Sequence, residues 1–199
     1  MLKNKKIKVM KIKTSKLYLF VTSLVLASLA CTIFIGGPDY PAQSVPASPD
    51  EVQNMRQQFE QAVIAGAQTG MVTLQITEGQ LTSYLADKMA QKTSPPFTDP
   101  QVLLRNGQMQ MYGKIARGMF TANMLITMNV GIDETTGQPK IEIASADFGP
   151  FPAPEGINSA MSAVIEEAFT GSIGPIAVGF RLESIAIADG IMTLTGRIK

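Results

Sequence analysis

Hydrophobic and polar positions divide the 199-residue chain into three parts: a charge-free block, a proline-rich stretch, and a longer region with two apolar periods. Residues 17–35 (LYLFVTSLVLASLACTIFI) carry no charge over nineteen positions. At about 1.5 Å per residue, a helix of that length just crosses a hydrocarbon layer of about 30 Å. Residues 36–50 (GGPDYPAQSVPASPD) set Pro38, Pro41, Pro46 and Pro49 among Gly, Ser and Ala. Proline blocks helix and favours extended chain, so this stretch reads as a semi-rigid linker. Residues 51–199 read as a single domain, large enough to bury its own core.

In that domain the first period is helical. Ser48 or Asp50 can cap a helix reaching about Ala65, with Val52, Met55, Phe59, Ala62 and Val63 on one face and Gly66 as its stop. Residues 71–76 alternate as a strand. Thr77-Glu78-Gly79-Gln80 then has capping-box spacing and opens a second helix with Leu81, Tyr84, Leu85 and Met89 apolar. Ser94-Pro95-Pro96 ends it. From Val102 the period becomes two, and Asn106-Gly107 signals a hairpin between residues 102–105 and 109–115. In residues 119–132 every even position is apolar, which decides for a strand, long against the usual five or six residues. Its odd positions, among them Thr121, Asn123, Thr127 and Asn129, are expected to face water. Residues 133–137 turn into a strand over 140–146, and the proline loop at 149–154 breaks the chain. A third helix over 157–169 would bury Ile157, Met161, Val164, Ile165, Ala168 and Phe169. A closing hairpin, 176–187 with 191–198, turns at Asp189-Gly190. The order predicts an α+β domain: an antiparallel sheet of about five to seven strands with two to three helices packed on one face.

Charge changes this picture at the N-terminus. Seven lysines precede Leu17, and every acidic residue follows it. That asymmetry orients the apolar segment with its N-terminus inside and places the domain on the extracytoplasmic side of the cell membrane. Ten basic against sixteen acidic residues remain from Leu17 onward, a balance of −6. Nucleic acid is therefore excluded as a partner.

The sole cysteine, Cys31, lies inside the apolar segment, so the domain holds no disulfide. Two readings of residues 1–35 compete: an uncleaved spanning anchor, and a signal ending in Ala27-Ser28-Leu29-Ala30-Cys31. The latter resembles bacterial lipoprotein signals, in which a small residue precedes a cysteine that is lipidated. Lipidation at Cys31 is the favoured reading, and the membrane is the partner either way.

The residues point away from catalysis. Without histidine, and with no cysteine in the domain, Ser-His-Asp and Cys-His arrangements cannot form. No serine is followed three residues on by lysine, and no Walker, dinucleotide or Ca²⁺-loop pattern occurs. Glu166 and Glu167, adjacent on a helix, diverge by about 100° and read as a solvated face. No metal or cofactor is expected, and the protein is not expected to be an enzyme.

The positive signal is methionine. Ten of the twelve follow the linker, and Met109, Met111, Met124, Met128 and Met161 fall on faces expected to point inward. Methionine fills irregular space and serves where surfaces adapt to ligands, although it is also ordinary core filler. Residues 72–85 (VTLQITEGQLTSYL) resemble the opening of the LmeA-like phospholipid-binding family, and residues 148–198 are similar in pattern to its later part. The Thr-Glu-x-x-Leu helix start is also similar to that of small Gram-positive lipoproteins of unassigned role. The phospholipid-binding family resembles a module of the tubular lipid-binding fold, which implies a curved sheet around an apolar cavity and a phospholipid or fatty acyl ligand. It carries no diagnostic motif, so no site residue is transferred from it. From the buried stripes alone, Phe59, Met124, Met128, Met161 and Phe169 are the candidate ligand-binding residues. A non-catalytic envelope interaction module with a solid core is the alternative.

Overall fold

Capping side chains and positive φ angles mark the ends of several elements. The structure, a computed structural model, describes residue 18 and residues 32–133, 139–153, 157 and 180–198. The chain divides into two compact units, Met1–Ile33 and Phe34–Lys199. In the first, Tyr18 is helical and exposed.

After a two-residue strand β1 (Ile33–Phe34), helix α1 runs over Pro49–Thr69. Ser48 caps it by accepting the Asp50 N–H at 3.2 Å, with Pro49 in the first turn where its missing N–H costs nothing. The expected stop at Gly66 is corrected: the helix continues to Gly70, which takes a φ of 75° and donates its N–H to the Gly66 carbonyl. Gly66 is glycine for a different reason. A Cβ there would lie 2.2 Å from the Val72 side chain, so its absence lets α1 pack close to the next strand.

That strand, β2 (Met71–Thr77), passes directly into α2 (Glu78–Ala90). The capping box is complete: Gln80 N–H donates to Thr77 Oγ1 at 3.2 Å, and Thr77 N–H donates to Gln80 Oε1 at 3.0 Å. Strands β3 (Thr98–Arg105), β4 (Gln108–Arg117), β5 (Phe120–Ile132), β6 (Pro139–Asp147), β7 (Phe180–Ala188) and β8 (Ile191–Ile198) follow. Asn106-Gly107 and Asp189-Gly190 both take the positive φ pairs of tight hairpin turns. β3 begins four residues before the expected start at Val102. It is an edge strand with a register shift between Thr98 and Gln101, and so tolerates Pro100.

The α+β class holds, but the strands divide between two sheets rather than forming one. The larger, a curled half-barrel of about five strands, is ordered β1-β5-β4-β3 with β6 also on β5. β3, β4, β5 and β6 pair antiparallel. Ile35 N–H donates to the Thr121 carbonyl at 2.9 Å, and Asn123 N–H donates to the Gly36 carbonyl at 3.0 Å. Those partners ascend together, so the segment runs parallel to β5 and makes the sheet mixed. The smaller sheet is ordered β2-β8-β7, all antiparallel.

On β5 the even positions Ala122, Met124, Ile126 and Met128 are buried, as alternation demands. The expectation for the odd positions is corrected. Asn129 is exposed, but Asn123 and Thr127 are buried too. Residues 36–38 lie over Asn123, whose Nδ2 donates to the Pro38 carbonyl at 3.0 Å. Thr127 sits between Gln110 and Ser145 on the flanking strands. The helix expected over 157–169 lies outside the described residues except for Ile157, which is helical and buried.

Candidate functional site

Two buried clusters make the interior. The first joins Tyr84, Leu85 and Met89 of α2 to Phe97, Val102, Met111, Ile115, Met124, Ile126, Met128 and Ile157, with Met55 and Met109 packed against it. The second joins Phe59 of α1 to Val72, Leu74, Leu104, Leu182, Met192 and Leu194. The structure therefore brings Met124 and Met128 together on the inner face of β5 but places Phe59 in the other cluster. Met55, one turn earlier on α1, is the residue of that helix that meets the methionines. Leu81, Met109 and Ile141 touch both clusters. Met161, Phe169 and Cys31 lie outside the described residues.

Phe97 was not legible as a site residue, because it follows Pro95-Pro96 without periodic neighbours. Its ring covers Gly113, where a Cβ would come within 2.7 Å of it and 3.3 Å of the Met124 methyl. A glycine inside an otherwise regular strand is the signal that marks such a close approach.

A concavity of about 540 Å³ opens where α2 begins. Val45, Thr77, Glu78, Arg105, Asn106, Asp189 and Gly190 line it, so both tight hairpin turns meet there. Glu78 fixes this corner. Its Oε1 accepts the Leu104 N–H at 2.7 Å and pairs with Arg105 Nη1, and its Oε2 accepts Arg105 Nη2 at 3.1 Å. The Glu78 N–H donates to the Gly190 carbonyl at 3.3 Å. A carboxylate held by this many donors is an anchor between elements rather than a poised base.

The remaining buried polar groups serve the same end. Thr82 accepts the Val102 N–H at 2.9 Å, Ser83 accepts the Ser48 N–H at 3.0 Å, and Gln101 accepts the Val45 N–H at 2.6 Å. Among the described residues no buried side-chain polar atom lacks a partner. On the outer face Tyr40 packs edge-on against Tyr112 with ring centroids 5.8 Å apart, and Lys114 lies over the Tyr40 ring. Lys114 also pairs with Asp99 at 2.6 Å. Burial, and then the Asp99 charge, hold the Tyr40 phenol well above the usual tyrosine range.

Among the described residues no group of three His, Cys, Asp or Glu could hold a metal ion, and no helix is long and apolar enough to cross a membrane. Neither a protein-family model nor a curated protein sequence matches the chain. Two candidates remain: the methionine-rich buried cluster and the polar corner at Glu78. The polar groups of the second are spent on holding elements together, and the methionines of the first are packed inside a buried cluster.

Proposed function

We propose that this chain is a membrane-tethered, extracytoplasmic binding protein whose ligand is an acyl-bearing lipid held against the methionine-lined inner face of the half-barrel. One observation carries the reading. Met55, Met89, Met109, Met111, Met124 and Met128 all belong to or pack on a single cluster. Their unbranched thioethers repack around a variable chain at small cost. Each methylene leaving water for such a surface contributes about 0.8 kcal/mol, so sequestration of an acyl chain needs no catalytic group. The resemblance of residues 72–85 to the LmeA-like phospholipid-binding family points the same way. A second reading, an envelope interaction module with a solid core, is favoured by the Phe97 ring seated on Gly113.

Native mass spectrometry of residues 34–199 separates the two by the presence or absence of co-purified lipid. The sharper test enlarges the inner face. Met128→Phe in a filled core costs typically about 1–3 kcal/mol of strain, whereas growth into a space that a ligand occupies leaves stability nearly unchanged and lowers uptake of a fluorescent fatty acid. A destabilised variant, together with a parent that takes up no fatty acid, replaces the lipid reading with the interaction module. For the tether, Cys31→Ser leaves an unprocessed precursor without labelled fatty acid. Equal labelling of variant and parent overturns lipidation, and uncleaved chain in the membrane fraction then supports the spanning anchor.

A further inference from the structure

The β4–β5 hairpin ends in Arg117-Gly118-Met119-Phe120, and both large apolar residues of that turn stand in solvent: Met119 is 49% exposed and Phe120 41%. Beside them the chain enters the sheet. Phe34 is 59% exposed and Ile35 37%, and the Ile35 N–H is bonded to Thr121, the residue that follows Phe120. One end of the half-barrel thus presents four exposed apolar side chains on paired strands. Elsewhere in this unit, among the described residues, Ile64, Met71 and Ile143 are exposed on separate elements.

We propose that this tip is a membrane-docking surface. Phe34, Met119 and Phe120 enter the interfacial layer of the bilayer, and Arg117 meets the phosphates of anionic lipid. The inference deepens the tethering reading and rests on it.

Three observations select a bilayer as the occupant. First, the charge-free segment meets the sheet without a spacer: its residues 33–35 already lie along β5, so an anchor in it ends at residue 32. If Cys31 is lipidated instead, only three residues lie between it and Ile35, a span of at most about 14 Å of extended chain. Either anchor brings the membrane surface to this end of the domain. Second, the sign of the charge is right. Residues 100–132 contain no acidic residue, and Arg105, Lys114 and Arg117 are the charged residues among them. Arg105 and Lys114 are paired with Glu78 and Asp99, which leaves Arg117, in the turn itself, as the cation that a negatively charged surface meets. Among the described residues Arg117 has no carboxylate partner within salt-bridge distance. Third, apolar side chains beside a cation form the pattern that settles at the headgroup level, where aromatic rings and long basic side chains are both favoured.

The chain contains no tryptophan, so a single introduced one reports on one place. The full chain with its anchor is reconstituted into vesicles of phosphatidylcholine and phosphatidylglycerol, with and without brominated acyl chains. Phe120→Trp is compared with Asn129→Trp, nine residues further along β5 and so about 30 Å away. The expected result is blue-shifted emission at position 120, quenched by roughly half or more by brominated lipid, against little change at position 129. Adding Arg117→Glu should lower the quenching at 120 in anionic vesicles only. Protein that floats with the vesicles while both tryptophans respond alike overturns the docking and leaves the tether intact. Protein that does not float overturns both. Protection of the tryptophan at position 120 from a soluble quencher without bromolipid quenching, together with a doubled mass, overturns the bilayer in favour of a second copy of the chain.

Discussion

Tyr40 belongs to a proline-rich stretch, yet its ring is half-buried against Tyr112 and its hydroxyl donates to the Asp99 carbonyl, 59 residues away. No spacing in the sequence marks it, because its partners come from strands that only the folded sheet brings near. Its chemistry makes the contact measurable. The folded phenol holds its proton more tightly than the unfolded one, through burial first and the Asp99 charge second. Above about pH 10, the ordinary tyrosine value, the unfolded chain releases a proton that the folded chain keeps. The unfolded state then binds fewer protons, so stability falls with rising pH and continues to fall until the folded phenol ionises. Tyr40→Phe removes that loss. The expected outcome in urea unfolding between pH 8 and 11 is a shallower alkaline decline for the variant. The difference should stay below about 1.4 kcal/mol per pH unit, since the ring is only half-buried. Parallel declines would mean that the hydroxyl is free in solution.

Elements show where local pattern stops being informative. The capping box at Thr77 and Gln80, the hairpin turns, and the inward face of β5 at Met124 and Met128 were legible because each depends on neighbours within a few residues. The second sheet was not, since alternation along β2 does not say that its partner is β8, more than a hundred residues later. The ligand face was half legible for a similar reason. Phe59 and Met55 lie on one stripe of α1, but that stripe spans two clusters. The docking of α2 on β3 was hidden altogether. The edge strand leaves the Val102 and Leu104 N–H groups unpaired, and α2 supplies acceptors for both through Thr82 and Glu78. Four residues of helix rise about 6 Å and two residues of strand about 6.6 Å, so the spacings match. A helix here takes the place of a neighbouring strand, which protects an edge that would otherwise pair with another chain. Thr82→Val keeps the shape of this fully buried side chain and removes its hydroxyl. The Val102 N–H is then left without a partner, and the expected cost is about 1–3 kcal/mol in the urea midpoint with an unchanged slope. Thr73→Val, exposed on β2, should stay within about ±0.5 kcal/mol. Equal midpoints for the two variants would show that the edge does not depend on α2.

At the scale of the whole molecule, residues 36–50 are held along the sheet by backbone, amide and aromatic contacts, and the compact unit begins at Phe34. The consequence lies on one edge of β5. β6 pairs with β5 from Leu125 to Ile132, while Thr121 and Asn123 are paired instead with Ile35 and Gly36. The N-terminal stretch and β6 therefore divide a single edge between them. A chain beginning at Ser48 lacks the first of these covers and leaves residues 120–124 with open backbone donors and acceptors next to the exposed Phe120. Such an edge is a template for pairing with another copy. Residues 34–199 should accordingly run as a monomer in size-exclusion chromatography with light scattering, whereas residues 48–199 should self-associate as concentration rises. Thr121→Lys in the shorter chain places a charge on the uncovered edge and should restore the monomer without restoring the lost contacts. If the shorter chain is monomeric on its own, the stretch only decorates the sheet. If it associates with or without the lysine, association runs through some surface other than this edge.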